Sequence, residues 1–153
     1  MTNALYESLV NATQEVLELM LDITGVASRS GDAALSANCD RSIGIAIGVT
    51  GDLGGEIVYC FPCNTALEMV RIMSGMDFDA VDDFVTSAIG EIANIISGKA
   101  LALLSRNNVV CDILPPKVLV LDNALDTSCC KGNTDTCIIT DIGAVGISIN
   151  FKE

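Results

Sequence analysis

Hydrophobic positions recur along this chain in two periods, and the switches between them mark out its elements. Leu5, Leu9, Ala12, Val16, Met20 and Ile23 fall at helical spacing. They predict a first helix over residues 2–23, with Thr2 as N-cap and Gly25 as the left-handed stop. The polar stretch 27–40 reads as a loop with room for a short edge strand. The period then changes to two. Ile43, Ile45, Ile47 and Val49 alternate with Gly and Ala, which predicts a strand with one packed face and one small-residue face. Gly51-Asp-Leu-Gly-Gly55 turns the chain, and residues 56–61 return as the second strand of a hairpin. A second helix is expected from Pro62-Cys-Asn64 to Met73, closed by Ser74-Gly75, with Leu67, Val70, Ile72 and Met73 on its buried side.

The longest helical pattern runs from about Asp79, read as its cap, to Arg106, with Asp82 and Asp83 at the positive dipole end. Ile89, Ile92, Ile96, Ala100 and Leu103 form one side, and Phe84, Ile95 and Ala102 lie close to the edge of the polar arc opposite. Ser87, Glu91, Asn94 and Gly98 stand at i, i+4, i+7 and i+11, within an arc of roughly 40–60° at about 100° per residue. A solvated helix face normally carries several Lys, Arg and Glu; this strip holds one carboxylate, one amide and a glycine. Spacing alone is equally what an ordinary amphipathic helix leaves exposed, since periodicity reports burial first. Beyond this helix, Pro115-Pro116 start a new extended segment over 117–121. A polar loop follows over 122–133, and a second hairpin over 136–151 turns at Asp141-Ile-Gly143. Hairpins grouped between helices favour an α+β fold with a largely antiparallel sheet. No linker divides the chain, so residues 1–153 read as a single domain.

Composition narrows the function. Half of the 153 residues are apolar, yet no uninterrupted apolar run approaches the ~18 residues of a membrane span. The first residues lack the basic and apolar regions of a signal peptide, so a cytoplasmic location is the expectation. Twenty acidic against eight basic residues give a net charge of −12, which argues against nucleic acid and anionic membranes as partners. The absence of histidine removes imidazole bases and His-containing zinc sites. Seven cysteines cannot all pair within the chain and are expected as mostly reduced, partly buried thiols.

Cys60-Phe-Pro-Cys63 has C-x-x-C spacing at a strand-to-helix junction, where a helix N-terminus lowers a thiol pKa. Against a thiol oxidoreductase stand the missing Trp and Gly of such motifs and the apolar helix the second cysteine enters. Cys129-Cys130 and Cys137 fit no zinc-ligand spacing with the first pair and read as oxidation-prone thiols. Gly51–Gly55 lacks the lysine of a phosphate-binding loop.

Ser87-x3-Glu91-x2-Asn94, followed 21 and 22 positions on by Pro115 and Pro116, resembles the signature of the CheX/CheC/FliY family of chemotaxis phosphatases. Ile47-Gly-Val-Thr-Gly51, Ile57-Val-Tyr59, Ala66-Leu-Glu-Met-Val70 and Met73-Ser-Gly-Met76 strengthen the likeness, which runs from about Ile43 to Val120. It is nearest to the CheX branch, because the first helix holds no second copy of Glu-x2-Asn. The resemblance implies a CheC-like fold, with the signature helix exposed on the outer side of a sheet packed against helices. It implies an aspartyl-phosphate phosphatase that inserts this helix into a phosphorylated CheY-like response regulator. Asn94 would position the attacking water and Glu91 would pair with a lysine near the phosphate. Ser87 and Pro116 would lie at the rim, and Gly98 would let the partner's backbone approach. No cofactor or metal is expected on this chain, Mg²⁺ belonging to the regulator, and a homodimer through sheet edges is implied, for which the apolar C-terminal hairpin offers strands. The rival within the same fold is a catalytically silent module that binds or scaffolds a regulator.

Overall fold

The structure, a computed structural model, describes residues 2–24, 26–28, 42–77, 80, 82–106, 108–121 and 134–152. Among the described residues, three helices, α1 (Thr2–Leu21), α2 (Cys63–Ser74) and α3 (Asp83–Ser105), accompany seven strands. The strands are β1 (Val26–Ser28), β2 (Ser42–Gly51), β3 (Gly54–Pro62), β4 (Cys111–Ile113), β5 (Lys117–Leu121), β6 (Thr134–Thr140) and β7 (Gly143–Lys152). All pair antiparallel in the order β1-β6-β7-β3-β2-β4, and β5 shares the outer edge of β2 with β4. This is the α+β architecture that the hairpin grouping predicts.

Register explains the core. Ile45, Tyr59 and Ile147 stand in one cross-strand row, and Ile47, Ile57 and Ile149 in the next. All six are buried, in one cluster with Leu9, Ala12 and Val16 of α1, Met69 and Val70 of α2, and Ile89, Ile92 and Ile96 of α3. The period-2 run of β2 thus meets the helical stripes of three helices on one sheet face. On the small-residue face of β2, the Leu114 side chain covers Gly48, and its N–H donates to the Gly48 carbonyl at 2.8 Å. A Cβ at Gly48 would stand 2.8 Å from Leu114 Cδ1. Gly51 is more constrained still: its φ is 113°, and a Cβ there would lie 2.7 Å from the Val110 carbonyl oxygen.

Several boundaries differ from the sequence expectation. α1 ends at Leu21, where Asp22 takes a left-handed φ of 56° and the Ile23 N–H turns back to the Leu17 carbonyl at 3.2 Å. Aspartate tolerates that conformation better than most residues, so the helix stops before Gly25, which lies outside the described residues. α3 begins four residues after Asp79, because Asp82 is the N-cap and its Oδ1 accepts from the Val85 N–H at 2.9 Å. In α2, Met69 is fully buried while Met73 is exposed; the buried stripe passes through Thr65, Ala66, Met69 and Val70. Gly75 closes α2 as expected, with φ 74° and its N–H on the Arg71 carbonyl at 2.8 Å. β4 was not legible, being three residues long. The C-terminal hairpin β6–β7 lies inside the sheet, flanked by β1 and β3. Among the described residues the outer strands are therefore β1 on one side and β4 with β5 on the other, a correction to the expected edges. The loop 122–133 and Cys129-Cys130 fall outside the described residues.

Candidate functional site

α3 is held so that one strip of it must face outward. Val85, Ile89, Ile92, Ala93, Ile96, Ala100 and Leu104 are buried, which fixes the rotation of the helix about its axis. A polar contact reinforces this from within: Ser97 Oγ lies 2.7 Å from the Tyr59 hydroxyl of β3, both groups buried. Burial pushes the Tyr59 phenol well above its usual range, and the Ser97 contact offsets part of that rise. The pair stays neutral, and each hydroxyl satisfies the other. On the flank towards α1, Lys99 Nζ pairs with Glu15 at 2.8 Å. On the opposite flank a Cβ at buried Gly90 would lie 3.8 Å from Pro116 Cγ, so the chain entering β5 packs beside the helix.

What remains outward is the predicted strip. Ser87 and Glu91 are exposed, and Asn94 and Gly98 are half-buried. Among the described residues, Ser87, Glu91 and Asn94 have no side-chain hydrogen bond or ion pair within the chain. Glu91 and Asn94 are separated by about 4.5 Å along the axis at 1.5 Å per residue, so both can enter one active site of a partner. Among the described residues Gly98 makes no close approach: a Cβ there would meet nothing within 4 Å. Pro116 is half-buried on the Gly90 flank, at the side of the strip. The structure thus brings Ser87, Glu91, Asn94 and Gly98 onto one face with Pro116 as its border.

Two residues escaped the sequence reading. Ser97 sits on the buried side among apolar residues, where period alone places any small residue. Phe84 falls close to the edge of the polar arc by sequence and is 52% exposed, but its type gave no reason to count it with the strip. Its line is visible in the numbering, since Phe84, Glu91 and Gly98 stand seven apart and within about 20° of one another per heptad.

Other chemistry finds little support. Cys60 is buried in β3, Cys63 opens α2 half-buried, Cys111 is half-buried in β4, and none of the three is in a disulfide. Among the described residues no group of three or more acidic, cysteine or histidine side chains is arranged to hold a metal ion. α3 is long and apolar enough by length and composition to cross a bilayer, but its apolar side is the core contact described above.

The family model for the chemotaxis phosphatase CheX matches residues 43–141. The CheY-P phosphatase CheX of Thermotoga maritima is 33% identical over 115 residues, 72% of this chain and 74% of that protein. The fold superposes on the chemotaxis protein CheX of Vibrio vulnificus with a TM-score of 0.81 at 21% identity, covering 97% of this chain and 96% of that one. It also superposes on a structure from Borrelia burgdorferi, a complex of CheX, CheY, BeF3 and Mg²⁺, with a TM-score of 0.74 at 21% identity and 97% of each chain covered. Together with the Glu-x2-Asn strip, the matched stretch places the chain in the CheX family of chemotaxis phosphatases.

Proposed function

We propose that this protein is a phosphatase for a phosphorylated CheY-like response regulator, and that α3 is the element it inserts. The observation that carries the reading is a strip of one carboxylate, one amide and one glycine, turned outward and without partners of its own among the described residues. A curated relative at 33% identity bears the name CheY-P phosphatase, which supports the same substrate.

The substrate is an acyl phosphate. Water attacks phosphorus in line, the bond from phosphorus to the acyl oxygen breaks, and the regulator's aspartate leaves as carboxylate with inorganic phosphate as the other product. The helper must position water and tolerate the charge, with little covalent chemistry of its own. Asn94 can do the first, because an amide both donates to and accepts from water. Glu91, one turn earlier, pairs with a lysine beside the phosphate and fixes the register of docking. Ser87 and Pro116 border the contact, and Gly98 leaves room for the regulator's backbone.

Mg²⁺ belongs to the partner's phosphorylation site in this reading, as the residues on α3 make no hard-oxygen cage. A relative's complex contains CheY, BeF3 and Mg²⁺ together, which agrees. We further read the chain as one domain, supported by the apolar cluster that joins α1, α2 and α3 to the sheet. We read it also as a homodimer paired through β1 or through the β4–β5 edge. The test of function is phosphate release from a panel of phosphorylated regulators with Mg²⁺. Binding without acceleration would instead identify a silent docking module.

A further inference from the structure

The strip does not end at the two residues that serve the chemistry. Phe84 stands seven residues before Glu91, and Gly98 stands seven after it. At 1.5 Å per residue the two ends are about 21 Å apart on one face, a span suited to one protein contact. Phe84 is 52% exposed at the first turn, in a chain with only four Phe, two Tyr and no Trp. Exposed Asp82 and Asp83 lie beside it. The other end opens into a groove of about 300 Å³ between α3 and β4, lined by Gly98, Leu101 and Ala102 on the helix and by Val110, Cys111 and Ile113 opposite. Val110 is 64% exposed at its lip. Asp52 holds that wall in place: its N–H donates to the Val110 carbonyl at 3.0 Å, and its Oδ2 accepts from the Val110 N–H at 2.8 Å. Among the described residues nothing requires glycine at 98, since a Cβ there would meet no atom within 4 Å.

We infer that the two ends set affinity and partner choice, while Glu91 and Asn94 between them serve the hydrolysis. The inference rests on the phosphatase reading above, and its occupant is the same response regulator. Phe84 enters an apolar recess on the regulator whose rim is basic, complementing Asp82 and Asp83. Aromatic residues are over-represented among the few side chains that dominate binding energy. At the other end a backbone segment of the regulator crosses Gly98 and places an apolar side chain in the groove, which a larger residue at 98 would obstruct.

The test measures kcat and KM with a phosphorylated regulator and Mg²⁺, beside a binding titration on the beryllofluoride-bound regulator. Phe84→Ala and Gly98→Leu should each raise KM and Kd about tenfold, with kcat changed by less than about twofold. Phe84→Leu, which keeps apolar bulk, should recover most of the lost affinity. Asn94→Ala should do the reverse, lowering kcat with little change in Kd. The inference is overturned if either Phe84→Ala or Gly98→Leu leaves KM within about twofold of wild type. Failure of the underlying reading looks different: the wild-type chain would then accelerate phosphate loss from no regulator, before any variant is compared.

Discussion

Asn94 and Glu91 are neighbours on one turn, yet their chemistry predicts different phenotypes. In the proposed mechanism Asn94→Ala removes the group that would hold water in line, so turnover should fall by about 10²-fold or more. Binding should change little, because one uncharged amide adds modestly to an interface. Glu91→Ala should weaken binding by about thirtyfold or more, roughly 2 kcal/mol, and lower turnover with it, because in the proposed mechanism a lysine of the regulator would lose its counter-charge. Both side chains face outward and have no partners among the described residues, so Tm should stay within a few degrees in either variant. A turnover assay paired with titration against a phosphoryl mimic separates the two effects. Full turnover in Asn94→Ala would reduce the helix to a docking face. Cysteine chemistry can be tested at the same scale. Cys60 is buried in β3 and Cys63 is half-buried at the start of α2, where a thiol acts mainly as a small apolar group. Replacing both with Ala should lower stability while leaving turnover near wild type; a folded double variant without activity would restore the redox reading.

At the scale of the element, α3 joins a buried pin to a half-buried glycine, and the two respond to alanine with opposite signs. Ser97→Ala leaves the buried Tyr59 hydroxyl without its partner, which should cost about 1–3 kcal/mol. One position on, Gly98→Ala removes the entropic cost of a mid-helix glycine and adds a methyl into open space. It should therefore stabilise the fold by about 0.5–1 kcal/mol. Thermal unfolding of the two variants checks both signs, and loss of stability in Gly98→Ala would mean that the glycine serves the fold. The contrast also shows what the sequence could carry. The outward strip was legible because its polar residues fall within one arc and the opposite side is isoleucine-rich. Ser97 was not, since nothing local distinguishes a small residue that meets a tyrosine 38 positions away from one that merely fits. The start of α3 was misplaced because Asp79, Asp82 and Asp83 are all acceptable caps by type, and only the Asp82 Oδ1 to Val85 N–H contact decides among them. β4 was missed for a related reason. Its three residues are extended because Asp52 and Gly51, distant in sequence, bind the chain at Val110 and Cys111.

For the whole molecule, strand order depends on contacts that the local pattern does not encode. The hairpin at residues 134–152 has the alternation of any hairpin, and only the pairing of β7 with β3 and of β6 with β1 takes it from the edge to the interior. The acidic balance is a different kind of global property, since a net charge of −12 attracts cations diffusely whether or not a site exists. That distinction sets up the test of where Mg²⁺ resides. A dedicated Mg²⁺ site needs several oxygen donors in near-octahedral geometry, whereas the strip on α3 offers Glu91 alone. Among the described residues no cluster of three candidate ligands is present. Diffuse attraction is screened over about 8 Å at physiological ionic strength, so it should vanish from calorimetry at about 0.15 M salt, leaving no saturable binding to the free chain. Turnover of the phosphorylated regulator under the same salt should still require Mg²⁺ and be abolished by a chelator, because the metal neutralises the phosphoryl oxygens within the partner's site. Stoichiometric, salt-resistant binding of Mg²⁺ to the free chain would move the metal onto this protein and overturn the division of labour proposed between the two.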